Sequence, residues 1–175
     1  MFQFINVIDK YIIEFISKNL QSEVLNIIIS FFSFAGDDGF IWMVLICTLM
    51  MSKKYRKIGC IAACAFLLSR ITVDILKPLI ARPRPFEELS HLKIYIDRPT
   101  TYSFPSGHAI TSFATIGVLI NILKNNFYKI GLVLLALFIT FSRLYLLVHY
   151  PSDILIGMML GLIVSEIALH SFKKS

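Results

Sequence analysis

Three stretches of the chain gather side chains able to do chemistry. The first is Lys77 with Arg84-Pro85 seven residues on; the second is Pro105-Ser106-Gly107-His108; the third is Ser142-Arg143, then His149, then Asp153. Lys77, Arg84 and Arg143 form a set of cations suited to a phosphoryl group, whose oxygens a planar guanidinium fork matches in pairs. Pro105-Ser106-Gly107, immediately before an apolar helix, offers free backbone N–H groups and the positive end of a helix dipole, which together make an anion site. Ser106 is placed to cap that helix or to donate its hydroxyl to a bound phosphate. Gly107 lets the backbone approach a ligand closely.

The histidines supply a reaction. Asp153 follows His149 by four residues, and Pro151 favours a helix start between them. In a helical turn the carboxylate reaches one imidazole nitrogen and fixes the tautomer, leaving the other nitrogen basic and free to attack phosphorus. His108, brought in from another helix, can protonate the leaving oxygen and then deprotonate water. The pair predicts a two-step phosphoryl transfer through phosphohistidine. No cluster of carboxylates suggests a metal, so cations rather than Mg2+ are expected to stabilise the charge, and no cofactor is expected. A competing reading is a carrier that binds a phosphorylated lipid and moves it without cleavage. Such a carrier needs the cations but neither the two histidines nor Asp153.

Taken together, Lys-x6-Arg-Pro, Pro-Ser-Gly-His and Ser-Arg-x5-His-x3-Asp resemble the type 2 phosphatidic acid phosphatase family, which shares its site with vanadium haloperoxidases. Every position these motifs specify is present, in order and at the family spacing, between Lys77 and Asp153. The resemblance implies that His149 is the nucleophile, His108 the general acid and Asp153 the partner of His149. It also implies that Lys77, Arg84, Ser106, Gly107, His108 and Arg143 bind phosphate, without a metal, on the extracytoplasmic side. Short members of the family with little added domain often resemble bacterial undecaprenyl-diphosphate phosphatases. Undecaprenyl diphosphate is therefore the expected substrate, with phosphatidylglycerophosphate or phosphatidate as the alternative.

The elements that must position these groups follow from composition. Of 175 residues, 57% are apolar and 16% charged, against roughly 45–50% and 25% in a soluble domain. A chain this short cannot hide so much Ile, Leu and Phe from water, so lipid is the solvent for most of it. This excludes a soluble globular enzyme, a disordered chain and a nucleic-acid reader, and makes membrane lipids the surrounding partner. The +6 net charge then marks cytoplasmic loops beside anionic lipid. Residues 58–80, 130–148 and 154–172 approach the roughly 20 apolar residues of a spanning helix, and 106–123 is slightly short but free of charge. Residues 24–51 are apolar on both sides of Gly36-Asp37-Asp38-Gly39. That polar turn predicts a helical hairpin, because two carboxylates at the bilayer centre are costly.

The expected fold is all-α: an integral membrane six-helix bundle, with residues 1–175 as a single membrane-embedded domain. Ahead of it, Phe2, Ile5, Ile8, Ile12, Phe15 and Ile16 recur at helical spacing. They form either an amphipathic helix at the interface or the frayed start of the first span. With six spans, Lys10, Lys18, the group Lys53, Lys54, Arg56 and Lys57, the pair Lys124 and Lys129, and the pair Lys173 and Lys174 share one face. The positive-inside rule makes that face cytoplasmic, together with both termini, in a bacterial cell membrane. Outside the motifs, Arg70 and Asp74 are spaced for an ion pair on one helix face. Arg82 and Lys93 are candidates for the added positive charge a diphosphate requires, and Arg82 alternatively for a lipid headgroup. Asp37 and Asp38 are expected only to make the turn, Trp42 to sit at the interface, and Gly157 and Gly161 to pack helices closely. Cys47, Cys60 and Cys64 have no zinc-ligand spacing and are expected to pack.

Overall fold

A computed structural model describes residues 2–173, and among them the chain is helical with no strand. Eight α-helices follow in order: α1 (Phe2–Asn19), α2 (Glu23–Gly36), α3 (Phe40–Met51), α4 (Arg56–Ile80), α5 (Pro85–Glu88), α6 (Gly107–Ile122), α7 (Asn126–Tyr145) and α8 (Pro151–Lys173). Lys174 and the side chain of Lys173 lie outside the described part. Four stretches are long and apolar enough to cross a membrane: Glu23–Met51 taken across its break, Arg56–Glu88, Asn126–Tyr145 and Pro151–Phe172. Gly107–Ile122 is a shorter apolar helix. The fold is thus the expected all-helical, multi-pass membrane type.

Local chemistry sets the helix ends. Ser22 Oγ accepts the Leu25 N–H at 3.3 Å to open α2, and the Asn125 side chain accepts the Phe127 N–H at 2.9 Å to open α7. Pro151 opens α8, where its fixed φ suits the first helical position. Ala81 ends α4 in the left-handed conformation, with its N–H on the Lys77 carbonyl.

The main core gathers on α3, α4, α6, α7 and α8, with Trp42, Ala62, Ala65, Ile116, Ile139 and Ala168 among its buried members. At its centre stands α6, whose side chains from Ala109 to Leu119 are all buried. Protein surrounds this helix on every side, as expected for one apolar all round. Gly157 and Gly161 bring α8 against it. A Cβ at Gly157 would stand 2.8 Å from Ala109 Cβ, and one at Gly161 would stand 2.6 Å from the Ile110 carbonyl oxygen. The predicted close packing is present, and it registers the first turn of α8 against the first turn of α6. Those turns carry Asp153 and His108.

The hairpin expectation is corrected. α2 starts beside the end of α7, where Gln21 and Ser22 donate to Tyr145 at 3.3 and 3.1 Å. It finishes against Ile139, with Phe32 edge-on to Phe138. α3 continues in the same sense: Trp42 Nε1 donates to Ser112 Oγ at 2.8 Å, and Met50 packs on Gly59 near the start of α4. Glu23–Met51 is therefore one stretch with a break at Asp37, not two arms folded side by side. Arms of 14 and 12 residues are only about 21 and 18 Å long, short of a hydrocarbon core of about 30 Å.

Removing one crossing also moves α1. Its described contacts lie at the end of the bundle where α4 and α7 finish and α8 begins. Lys10 pairs with Glu88 at 2.6 Å, and Ile13 and Ile16 join Leu92, Tyr145, Leu146, Leu147 and Tyr150 in a second buried cluster. Lys10 and Lys18 consequently do not share a face with Lys53, Lys54, Arg56 and Lys57, and α1 lies at the opposite end from the last turns of α8. The expectation of both termini on one side fails for this reason. Trp42 is likewise buried in the core rather than interfacial, its indole N–H satisfied by Ser112.

Candidate active site

The three motifs converge on one cavity of about 750 Å³. Lys77 reaches it from the last turn of α4, Gly107 and His108 from the start of α6, Arg143 from the end of α7, and His149 from the link before α8. Arg84 enters from the segment after α4 and is 2% exposed. Its Nε donates to the Thr101 carbonyl at 2.7 Å and one Nη to the Val148 carbonyl at 2.8 Å. Lys77 Nζ donates to Thr101 Oγ1 at 2.7 Å. Neutral oxygens, not carboxylates, hold both cations, so their charge stays available to an anion. Arg143 donates to Ser33 Oγ and stands 3.5 Å from Asp37 Oδ1, while its buried Nε has no partner.

His149 is 2% exposed. Burial first, then the positive charges of Arg84, Arg143 and Lys77, hold its imidazole well below the usual histidine range. It is neutral near pH 7, with a lone pair free. Nε2 lies 3.5 Å from an Arg84 Nη at the cavity wall, while Nδ1 lies 3.7 Å from Asp153 Oδ2 and has no hydrogen-bond partner. α8 begins at Pro151, after His149, so the two are not on one helical turn as expected. Asp153 instead accepts the Tyr150 N–H at 2.9 Å with one oxygen and an Arg82 Nη at 2.5 Å with the other.

The second histidine also has a carboxylate. His108 Nε2 stands 3.1 Å from Asp37 Oδ1, and Gly36 packs so close that a Cβ there would lie 2.9 Å from His108 Cδ2. Asp37 thus does more than make a turn. The available signal was the carboxylate itself, since an ionisable group inside an apolar run marks function by default.

Other expectations fare variously. Ser106 Oγ is buried without a partner and does not cap α6, but the Ser106 N–H donates to the Asp153 carbonyl at 3.2 Å. Beside Gly107, packing leaves room: a Cβ there would meet Val73 only at 3.7 Å. Arg82 does not line the cavity. Its guanidinium donates to Asp9 at 2.7 Å, Asn6 at 3.0 Å, Ser152 at 2.8 Å and Asp153, and lies 4.0 Å from the centre of the Tyr150 ring. Lys93 does not line the cavity itself but sits over the ring of Tyr95, which does. Arg70 pairs with Asp38 at 3.4 Å rather than with Asp74, and all three line the cavity.

The PAP2 superfamily profile matches residues 58–175. The chain is 29% identical over 150 residues to an undecaprenyl-diphosphatase of Sulfolobus acidocaldarius, covering 86% of this chain and 72% of that one. Its fold matches the crystal structure of Aquifex aeolicus LpxE with a TM-score of 0.82 at 27% identity, over 93% of this chain and 95% of that one. A transmembrane PAP2 type phosphatidylglycerolphosphate phosphatase from Bacillus subtilis shares the fold, with a TM-score of 0.81 at 22% identity over 97% and 87%. With its motifs drawn to one cavity among apolar helices, the chain belongs to the PAP2 superfamily and is a membrane lipid phosphatase.

Proposed function

We propose that the protein hydrolyses a lipid diphosphate, undecaprenyl diphosphate first among candidates, through a phosphohistidine intermediate and without a metal. The observation that carries this reading is that His108, His149, Lys77, Arg84 and Arg143 face one cavity. Lys77, Arg84, Arg143 and the Gly107 N–H opening α6 bind the terminal phosphate, with the buried, unpartnered Ser106 hydroxyl as a further donor. His149 Nε2 forms a bond to phosphorus as the bond to the leaving oxygen breaks, and His108 gives that oxygen its proton. Asp153 Oδ2 closes on the Nδ1–H of the phosphorylated ring. His108 then takes a proton from water, the hydroxide attacks phosphorus, and the N–P bond breaks to release phosphate and restore His149. Lys77, Arg84 and Arg143, which line the cavity, supply the charge stabilisation in this reading.

Lys53, Lys54 and Lys124 lie in the links, and Arg56, Lys57 and Lys129 in the first turns of α4 and α7, at the end opposite the cavity, which supports a cytoplasmic location for that end and an extracytoplasmic site. α1 then belongs to the extracytoplasmic side. Detergent-purified protein is expected to release phosphate from undecaprenyl diphosphate equally with and without EDTA. His149→Ala should abolish release, and phosphate trapped on the wild-type protein should be acid-labile. Release that requires a divalent cation, or that survives in His149→Ala, overturns the mechanism; no release from any lipid phosphate favours the carrier.

A monophosphate substrate, phosphatidylglycerophosphate or phosphatidate, is favoured by a separate observation. Arg70 is engaged by Asp38 and Arg143 faces Asp37, so apart from the exposed Arg98, which lies over the Phe86 ring, Lys77 and Arg84 are the cavity cations held without a carboxylate. Relative kcat/KM on isoprenyl diphosphates and glycerolipid monophosphates separates the two readings.

A further inference from the structure

We propose that Asp9, on the N-terminal helix, is a positioning residue for the reacting histidine, acting through Arg82 and Ser152 on Asp153. The proposal rests on the reading of His149 as nucleophile. α1 precedes residues 58–175, the part that matches the family, yet Asp9 is 2% exposed and fully engaged. One carboxylate oxygen accepts the Ser152 N–H at 3.0 Å; the other accepts an Arg82 Nη at 2.7 Å and the Ser152 hydroxyl. Ser152 lies in the first turn of α8, whose N–H groups have no partner within the helix. A carboxylate supplied by another helix satisfies one of them at the positive end of the dipole. Asp153 is the next residue, so whatever holds Ser152 holds Asp153.

The second link is electrostatic. Arg82 donates through one Nη to Asp9 and through the other to Asp153 at 2.5 Å, so one guanidinium serves two buried carboxylates. Burying a carboxylate is costly unless it is paired, and an arginine split between two partners neutralises neither completely. Asp153 therefore keeps negative charge to offer the Nδ1–H of His149 as phosphorus bonds to Nε2. Without Asp9, both Arg82 donors turn to Asp153, which loses orientation and basicity towards the imidazole. Anchoring α1 alone needs no such arrangement, because Ile13 and Ile16 already bury its apolar face.

Asp9→Asn tests this, since the amide is isosteric, keeps an acceptor for Ser152 and removes the charge. The expected result is a fall in kcat of about tenfold or more with KM within about twofold. Removal of a negative charge from the Asp9–Arg82–Asp153 chain that leads to the imidazole also moves the acid limb of the kcat/KM profile to lower pH. Ile13→Ala loosens α1 through packing and should lower the melting temperature while leaving kcat within about twofold. Unchanged kcat and acid limb in Asp9→Asn overturn the proposal, as does an equal kcat loss in Ile13→Ala, which makes α1 docking the whole effect. Should Asp9→Asn fail to fold, Arg82→Lys replaces it: the charge remains but a single ammonium cannot bridge both carboxylates, and undiminished kcat overturns the proposal. His149→Ala with full activity refutes the underlying mechanism instead, so the two failures are distinguishable.

Discussion

Two histidines face the cavity, each with a carboxylate, and the two pairs are built in opposite ways. Asp153 has no exposed surface, is held by Arg82 and the Tyr150 N–H, and sits in a turn clamped to α6 by Gly157 and to α1 by Asp9. Asp37 is half-exposed on the break between α2 and α3, and its oxygen is shared by His108 and Arg143. The difference suits the two proposed roles. A nucleophile must hold one tautomer and one line of attack, so rigid, dry surroundings favour it. A group that alternately gives and takes a proton benefits from water at its carboxylate.

Removing the nucleophile should have the largest effect. His149→Ala is expected to lower kcat by about 1,000-fold or more, because bound cations alone cannot replace the covalent route. Next comes a cation on the rigid side. Lys77→Met loses a charged hydrogen bond to phosphate of about 2–3 kcal/mol, or about 30–150-fold in kcat/KM. It also removes one of the charges that lower the affinity of His149 for protons. The neutral ring is the reactive form, so in the wild type the acid-side loss of rate lies below the ordinary histidine pKa of about 6.5. In Lys77→Met it moves up; a pH profile of kcat/KM that does not move removes Lys77 from the surroundings of His149.

The exposed side should respond according to leaving group. Asp37→Asn leaves His108 without its carboxylate and is expected to cost about tenfold in kcat on a monophosphate, whose leaving alkoxide needs a proton most. A diphosphate leaves as a lipid phosphate, a much weaker base, and should lose less. Equal losses on both substrates would remove Asp37 from proton transfer and make the two pairs alike.

Legibility divided instead between the motifs and their distant partners. Both histidines were readable because the motif chemistry sits in short strings at helix ends: Lys77 with Arg84, Ser106 to His108, and His149 with Asp153 all occupy positions that spacing can specify. The contacts that complete the site are long-range. Asp37 meets His108 across 71 positions and Asp9 meets Arg82 across 73, and no local pattern encodes either. The two carboxylates of the break had an apparently sufficient explanation as a surface turn, and that hairpin added a crossing which reversed the side of α1. Apolar content could not decide between a hairpin and a broken stretch, since both bury the same Ile and Phe. Arg82 was visible as a cation beside a phosphate motif, but its direction, away from the cavity and towards two carboxylates, depended on a helix seventy residues earlier.

Asp38 gives the smallest and most discriminating test, because it neighbours Asp37 on the same break. Its side chain is 83% exposed and its partner Arg70 is 37% exposed, at 3.4 Å. An ion pair that open is worth at most about 1 kcal/mol and less once screened. Asp38 also has a φ of 50°, a left-handed conformation that asparagine tolerates as well as aspartate. Asp38→Asn should therefore preserve the backbone of the break, and kcat is expected to stay within about twofold on either substrate. Since Asp37→Asn and Asp38→Asn remove the same charge one residue apart, only the contact to His108 and Arg143 separates them. If both cost tenfold, the general negative field of the break matters rather than the histidine contact, and the exposed pair ceases to be a counterpart to the buried one.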